Sequence, residues 1–308
     1  MKRLMIMLAL LSGAALFAQT PASEHAARYE RQVRNVGAAG VGVETILDRW
    51  EAEWPDDPAM HEGRSKFWLA KSLTTNVVPK NQQKFLGAAP VLVLKDSLGR
   101  DVNYFEENNF VDSLFALSQK AVDKAIALAP AELAYRVDKI TALMLYEKDS
   151  PDLATSELLK LISYNSSAHP SWTYYGMAVD ESTFISTIQE YCFNFFKYAT
   201  PGSYEAFKTV SEAMLKNYPS ELSFMNNLGS YWLVYKRNSG KALKWYNKVL
   251  KKDPHDYNAA NNCVILSRKD KNVKLEKKYL PYLIEASDSE TEKAACRARL
   301  EALQNIKK

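Results

Sequence analysis

The groups in this 308-residue chain with the chemistry for catalysis or metal binding are four histidines, three cysteines and scattered carboxylates. His25, His61, His169 and His255 stand far apart. None falls in the HExxH spacing that sets two imidazoles and a glutamate base around one metal, and His61 with Glu62 is an isolated pair. No GxSxG elbow, SxxK pair or P-loop occurs. Gly37, Gly40 and Gly42 follow no strand and read as a turn between two helices. The neighbouring carboxylates Glu106 and Glu107 could trade protons, but on an exposed helix start they serve the helix dipole. Cys192, Cys263 and Cys296 are odd in number and lack CxxC spacing, so they read as buried thiols. An oxidising compartment permits one disulfide, and spacing selects no pair. The chain is therefore expected to be no enzyme, with no catalytic, cofactor-binding or metal-binding residue and no cofactor.

Residues suited to binding are easier to find. Asn226 and Asn227 recur 35 positions later as Asn261 and Asn262. A side-chain amide both donates and accepts, so it can hold a peptide backbone or a carboxylate, or else satisfy neighbouring helix and turn groups. A second candidate surface is Trp172, Tyr174 and Tyr175, flanked by His169 and Pro170 in a segment that reads as irregular. Exposed, these rings would stack on sugars; buried, they would fill a gap in the array with large apolar area. Phe193, Phe195, Phe196 and Tyr198 beside Tyr191 read as core packing.

The elements that must position these residues are helices. Apolar residues recur at spacings of three and four, and prolines mark the ends of helix pairs. In 220–262, Phe224, Leu228, Trp232 and Tyr235 form one stripe, Asn238, Ser239 and Gly240 break it, and Ala242, Tyr246, Val249 and Leu250 form the next before Pro254. Pro219 and Pro254 are 35 residues apart, so the register repeats. Looser pairs precede it, "ETILDRWEAEWP" with "EGRSKFWLAKSL" and "SQKAVDKAIALAP" with "ELAYRVDKITALMLY", and "SETEKAACRARLEALQ" reads as a capping helix. One stretch alternates instead, "VLVLKDSLGRDVNYF", with Asp96 to Gly99 as the turn of a small β-hairpin near 91–105. The expected fold is all-α, an α-α superhelix of helical repeats with one inserted β-hairpin.

Met225, Leu228, Gly229, Trp232, Ala242, Tyr246, Val249 and Pro254 give this unit a pattern that resembles the tetratricopeptide repeat. Met stands in place of the first Trp, Val in place of a small residue, and the turn has one residue more than the strict 34-residue unit. The order of parts also resembles exported tetratricopeptide proteins of Bacteroidetes-type bacteria. The features that carry this are "WEAEWPDDP", "LVLKDSLGRDVNYF", "DKAIALAPAELAYRVDKITAL" and "SWTYYGM" before "STIQEY". The resemblance implies a protein-binding scaffold whose first helices line a concave face. Asn227 and Asn262 match the asparagine position of peptide-binding members, without the lysines of a carboxylate clamp.

Lys2 and Arg3 precede an uncharged stretch from Leu4 to Ala18, which reads as a signal peptide over 1–18. No later apolar run has spanning length. The expected organisation is that leader, degenerate repeats over 19–218, and better-matched repeats with the capping helix over 219–308. The chain is expected to be exported, to the periplasm first and to the medium second. From Lys236 to Lys308 there are 18 Lys plus Arg against 9 Asp plus Glu, while Gln19 to Tyr235 has 20 against 27, so the C-terminal third is basic. Outside the cytoplasm this excludes nucleic acid as the expected partner. The function expected is a non-enzymatic protein- or peptide-binding adaptor of the cell envelope; the alternative is a glycan-binding envelope module using the aromatic segment.

Overall fold

A computed structural model describes residues 21–148 and 150–305; the expected signal peptide lies outside the described residues. Among these residues thirteen α-helices and five strands are present, in two compact units. The first unit takes the described part of the chain up to Ser72 together with Val111–Pro130, and the second takes the rest. The boundary expected after residue 218 falls inside the second unit.

The first unit holds α1 (Pro21–Val36), α2 (Val43–Glu53), α3 (Pro58–Ser72) and α4 (Asp112–Leu128). The helices pack as α1 on α2 and α3 on α4. Val43, Leu47, Trp50, Met60 and Phe67 form its core. The Trp50 indole, buried by its size, keeps its N–H satisfied by donating to Asp57 at 3.0 Å. Gly37 and Gly42 turn the chain between α1 and α2, both at φ 82°.

The second unit opens with β1 (Leu73–Lys80), β2 (Leu92–Lys95) and β3 (Asp101–Phe110), an antiparallel sheet in the order β1-β3-β2. The expected hairpin is β2–β3. Its turn is held by Asp96 Oδ1, which accepts from the backbone N–H groups of Leu98 and Arg100, with Gly99 at φ 77°. The insert is larger than the sequence suggests, because the whole of β1 pairs with β3, from Leu73 opposite Phe110 to Lys80 opposite Asn103. "LTTNVVPK" carries Pro79 and follows α3 without a turn residue, so it gives no strand signal. Glu106 and Glu107 accordingly lie on β3, not at a helix start. Partial burial pushes the Glu107 carboxyl up, but Lys80 and Lys148 beside it hold it below the usual range.

The helices that follow are α5 (Leu133–Glu147), α6 (Asp152–Ala168), α7 (Glu181–Tyr198), α8 (Pro201–Asn217), α9 (Leu222–Ser230), α10 (Ser239–Lys252), α11 (Tyr257–Lys269), α12 (Val273–Ala286) and α13 (Glu290–Gln304). They pair as α5/α6, α7/α8, α9/α10 and α11/α12, and α13 caps the last pair. First helices also meet first helices, α7 on α9 and α9 on α11, while α6 meets α8. This is the two-layer arrangement of stacked helical repeats. A second insert, β4 (Thr173–Tyr174) with β5 (Met177–Ala178), sits between α6 and α7, so the array carries two β-inserts where one was expected.

Local sequence sets these boundaries. Asp180, Asn238, Asp256 and Ser289 each cap a helix by accepting from a backbone N–H three residues on, which satisfies a donor the helix cannot. Thr200 and Ser203 form a reciprocal capping box with Pro201 in the first turn of α8. Between α9 and α10, a Cβ on Gly229 would collide with the Tyr246 ring, so only glycine lets these helices approach. Leu228, Ala242, Tyr246 and Val249 are buried there, a full leucine contributing about 2 kcal/mol. The extra residue of this repeat is absorbed at the end of the first helix, in a π-helical turn over Tyr231–Tyr235. Lys236 N–H bonds to Tyr231 C=O at 3.2 Å. Tyr231 and Leu233 are the buried residues of that turn, and Trp232 and Tyr235 are half-buried.

Candidate binding grooves

The two asparagine pairs have different surroundings. Asn227 is 8% exposed. Its amide N–H groups donate to Gln189 Oε1 at 2.8 Å and to Ser211 Oγ at 3.1 Å, and its carbonyl accepts from Gln189 Nε2 at 3.0 Å. It thus ties α9 to α7 and α8. Asn226 donates to Asp256 Oδ2 at 3.0 Å, and its own buried Oδ1 lacks a partner. Asn261 and Asn262, half-buried on α11, make no hydrogen bond among the described residues through their side chains. The first pair is committed to the scaffold, and the second keeps its amides open.

The aromatic segment is ordered rather than irregular. Trp172 is 5% exposed and fills the space between α6 and α7. It stacks on Phe184 at 5.9 Å, meets Tyr164 edge-on, and donates its indole N–H to Asn165 Oδ1 at 2.7 Å. Tyr174 is half-buried. Tyr175 and Gly176, at φ 48° and 77°, form the primed turn a two-residue hairpin requires. The Glu132 carboxylate accepts from the backbone of Tyr175 and the hydroxyl of Thr173 at 2.7 Å each. Of the three rings Tyr175 is the most exposed, at 48%. The expected sugar platform therefore lacks its tryptophan, because that ring is the plug of the hairpin.

An opening in the first-helix layer lies between α7 and the start of α9, a groove of about 550 Å³. Ser182, Ile185, Ser186, Gln189, Glu190 and Phe193 line one side of it, recurring at spacings of three and four along a single face of α7. Glu181, Glu221 and Ser223 complete the rim. Phe193 is 56% exposed, which corrects its assignment to the core; Tyr191 and Phe195 are buried as expected. The consecutive aromatics around it hide Phe193 in the sequence, and the signal that separates them is helical phase. No ion pair neutralises Glu181, Glu190 or Glu221 among the described residues. The groove is acidic with an apolar ring exposed in it, and one of its lining residues, Gln189, is held from behind by the Asn227 amide.

The thiols face no such opening. Cys192, Cys263 and Cys296 are free and buried, and burial pushes Cys192 and Cys263 up to about 12. Among the described residues no group of three or more His, Cys, Asp or Glu could hold a metal. No described helix is long and apolar enough to cross a membrane.

The fold is that of a tetratricopeptide-like helical-repeat protein. No protein-family model matches the chain, and no curated protein matches it. Several solved structures are similar to it, and two of them follow. One, from the functional characterization of Pseudomonas aeruginosa pilF, has 14% identity and a TM-score of 0.38, over 61% of this chain and 76% of the other. The second is the flexible tandem repeat domain of a component of bacterial cellulose synthase. It has 14% identity and a TM-score of 0.28, over 94% of this chain and 99% of the other.

Proposed function

We propose that this protein is a non-enzymatic adaptor of the bacterial cell envelope, exported by its N-terminal leader, that holds a segment of a protein partner along its first-helix layer. The observation that carries the reading is the α7/α9 groove, where Phe193 stands exposed between Glu181, Glu190 and Glu221. An exposed aromatic on a rigid helix is the kind of anchor that dominates binding energy, and carboxylates without a cationic partner of their own favour a cationic segment. Stacked repeats present such helices on a continuous curved surface. Asn261 and Asn262 lie further along the same layer, on α11, with amides free to bond a peptide backbone.

Affinity capture from a detergent-solubilised envelope tests this, with the chain from Gln19 as bait and its Phe193→Ala/Glu190→Lys variant as control. A partner held by the parent and lost by the folded variant is the expected result. Equal recovery of every partner by both baits would remove the groove from the account.

A further inference from the structure

A second groove lies on the other side of α9, between α8 and α10, with a volume of about 500 Å³. Leu215, Met225 and Trp245 form its floor, and Lys248, Lys251 and Lys252 rise along one rim. Lys248 Nζ sits 3.9 Å from the centre of the Trp245 ring, a cation–π contact. Lys252 Nζ reaches across the mouth to Ser220 Oγ at 3.2 Å. No carboxylate pairs with any of these lysines among the described residues, and α10 contains no acidic residue.

The lysines exceed what the helix itself requires. Lys251 and Lys252, in the last turn, complement the α10 dipole. Lys248 lies a turn earlier, and Lys241 and Lys244 continue the exposed stripe toward the start of the helix. From Lys241 to Lys251 the stripe runs about 15 Å at helical rise. A bilayer surface calls for apolar side chains that protrude into it. Here the apolar atoms are recessed: Met225 is buried, and Leu215 and Trp245 are half-buried against the core of the last repeats. A recessed apolar floor beneath an unpaired cationic rim fits a segment that brings its own protruding apolar residues with carboxylates beside them.

We infer that the α8/α10 groove docks an acidic, amphipathic segment of a partner protein, its apolar residues on the Trp245 floor and its carboxylates on Lys248, Lys251 and Lys252. This site is independent of the α7/α9 groove and takes the opposite charge.

The test uses the intact chain and a fluorescein-labelled amphipathic helical peptide of about fourteen residues, with leucines on one face and glutamates flanking them. Control peptides replace Glu by Lys, or Leu by Ala. Fluorescence anisotropy should show binding of the Leu/Glu peptide, weakening with added salt, and weaker binding of both controls. The triple variant Lys248→Glu/Lys251→Glu/Lys252→Glu should weaken it about tenfold or more. The milder Lys→Gln triple variant should fall between, with the far-ultraviolet circular dichroism of both unchanged. Equal affinity of parent and triple variant, or equal affinity for the Lys-substituted peptide, overturns the inference. So does retention on phosphatidylglycerol vesicles through these lysines without peptide binding.

Discussion

The α7/α9 groove and the α8/α10 groove belong to the two layers of one helical array, yet they are opposites in charge and in relief. In the first, an aromatic ring projects between carboxylates; in the second, apolar atoms lie recessed beneath lysines. The difference separates two kinds of position. Gly229, Ala242 and Tyr246 are set by how closely α9 and α10 approach, and any functional variant of this scaffold must satisfy them. Phe193, Glu190, Lys244 and Lys251 are exposed, so their types are available to specify partners.

The largest effect comes from removing the frame common to both grooves. Gly229→Leu drives a side chain into the Tyr246 ring and should cost about 3 kcal/mol of stability. Chemical denaturation should report that loss, with binding at both grooves lost together. Loss at one groove alone would mean that α9 does not support both.

Asn227→Ala separates the two grooves, because it removes both reciprocal amide bonds to Gln189, while Ser211 keeps its bond to the Phe207 carbonyl. It should cost about 2 kcal/mol and weaken only the α7/α9 groove. Asn262→Ala, which breaks no hydrogen bond, should stay within about 0.5 kcal/mol of the parent. Equal denaturation midpoints for the two variants would contradict the assignment of Asn227 to the scaffold.

Phe193→Ala should leave stability within about 0.5 kcal/mol and weaken partner binding roughly tenfold. Titration of captured partner against both forms measures this.

The smallest effect is a pH dependence beneath the lysine-rich end. Glu276 is buried and accepts from Arg299 and Arg268 at 2.8 to 3.0 Å. The Arg299 bonds first, with Arg268 and against burial, hold its carboxyl below the usual range. A depressed folded value means stability that is complete above the unfolded carboxylate value of about 4.3 and lost as pH falls through the folded value. Urea midpoints should therefore fall more in the parent than in Glu276→Gln over that acid range.

Much of the frame was legible in the sequence, because helical phase, caps and prolines are local signals. The repeat of 35 residues, the close approach at Gly229 and the β2–β3 turn all rest on residues near one another in the chain. What was not legible depends on distant contacts. Strand β1 exists through its pairing with β3 rather than through its own pattern, and Trp172 is buried because Phe184 and Tyr164 close over it. Asn227 resembles a ligand-reading residue in sequence, but Gln189, 38 positions earlier, occupies its amide. Phe193 was hidden among aromatics that point the other way, and the one-residue excess of the repeat became a π-turn in α9's continuation rather than a longer loop.

The most direct measurement is photo-crosslinking in cells that produce the full chain, with benzoylphenylalanine placed at position 193 and, separately, at 215. The account predicts that position 193 captures a protein through a segment rich in Lys or Arg beside apolar residues. That crosslink should disappear in the Glu181→Lys/Glu190→Lys/Glu221→Lys background. A crosslink from position 193 that survives the charge reversal, or the same partner segment captured from position 215, would contradict it.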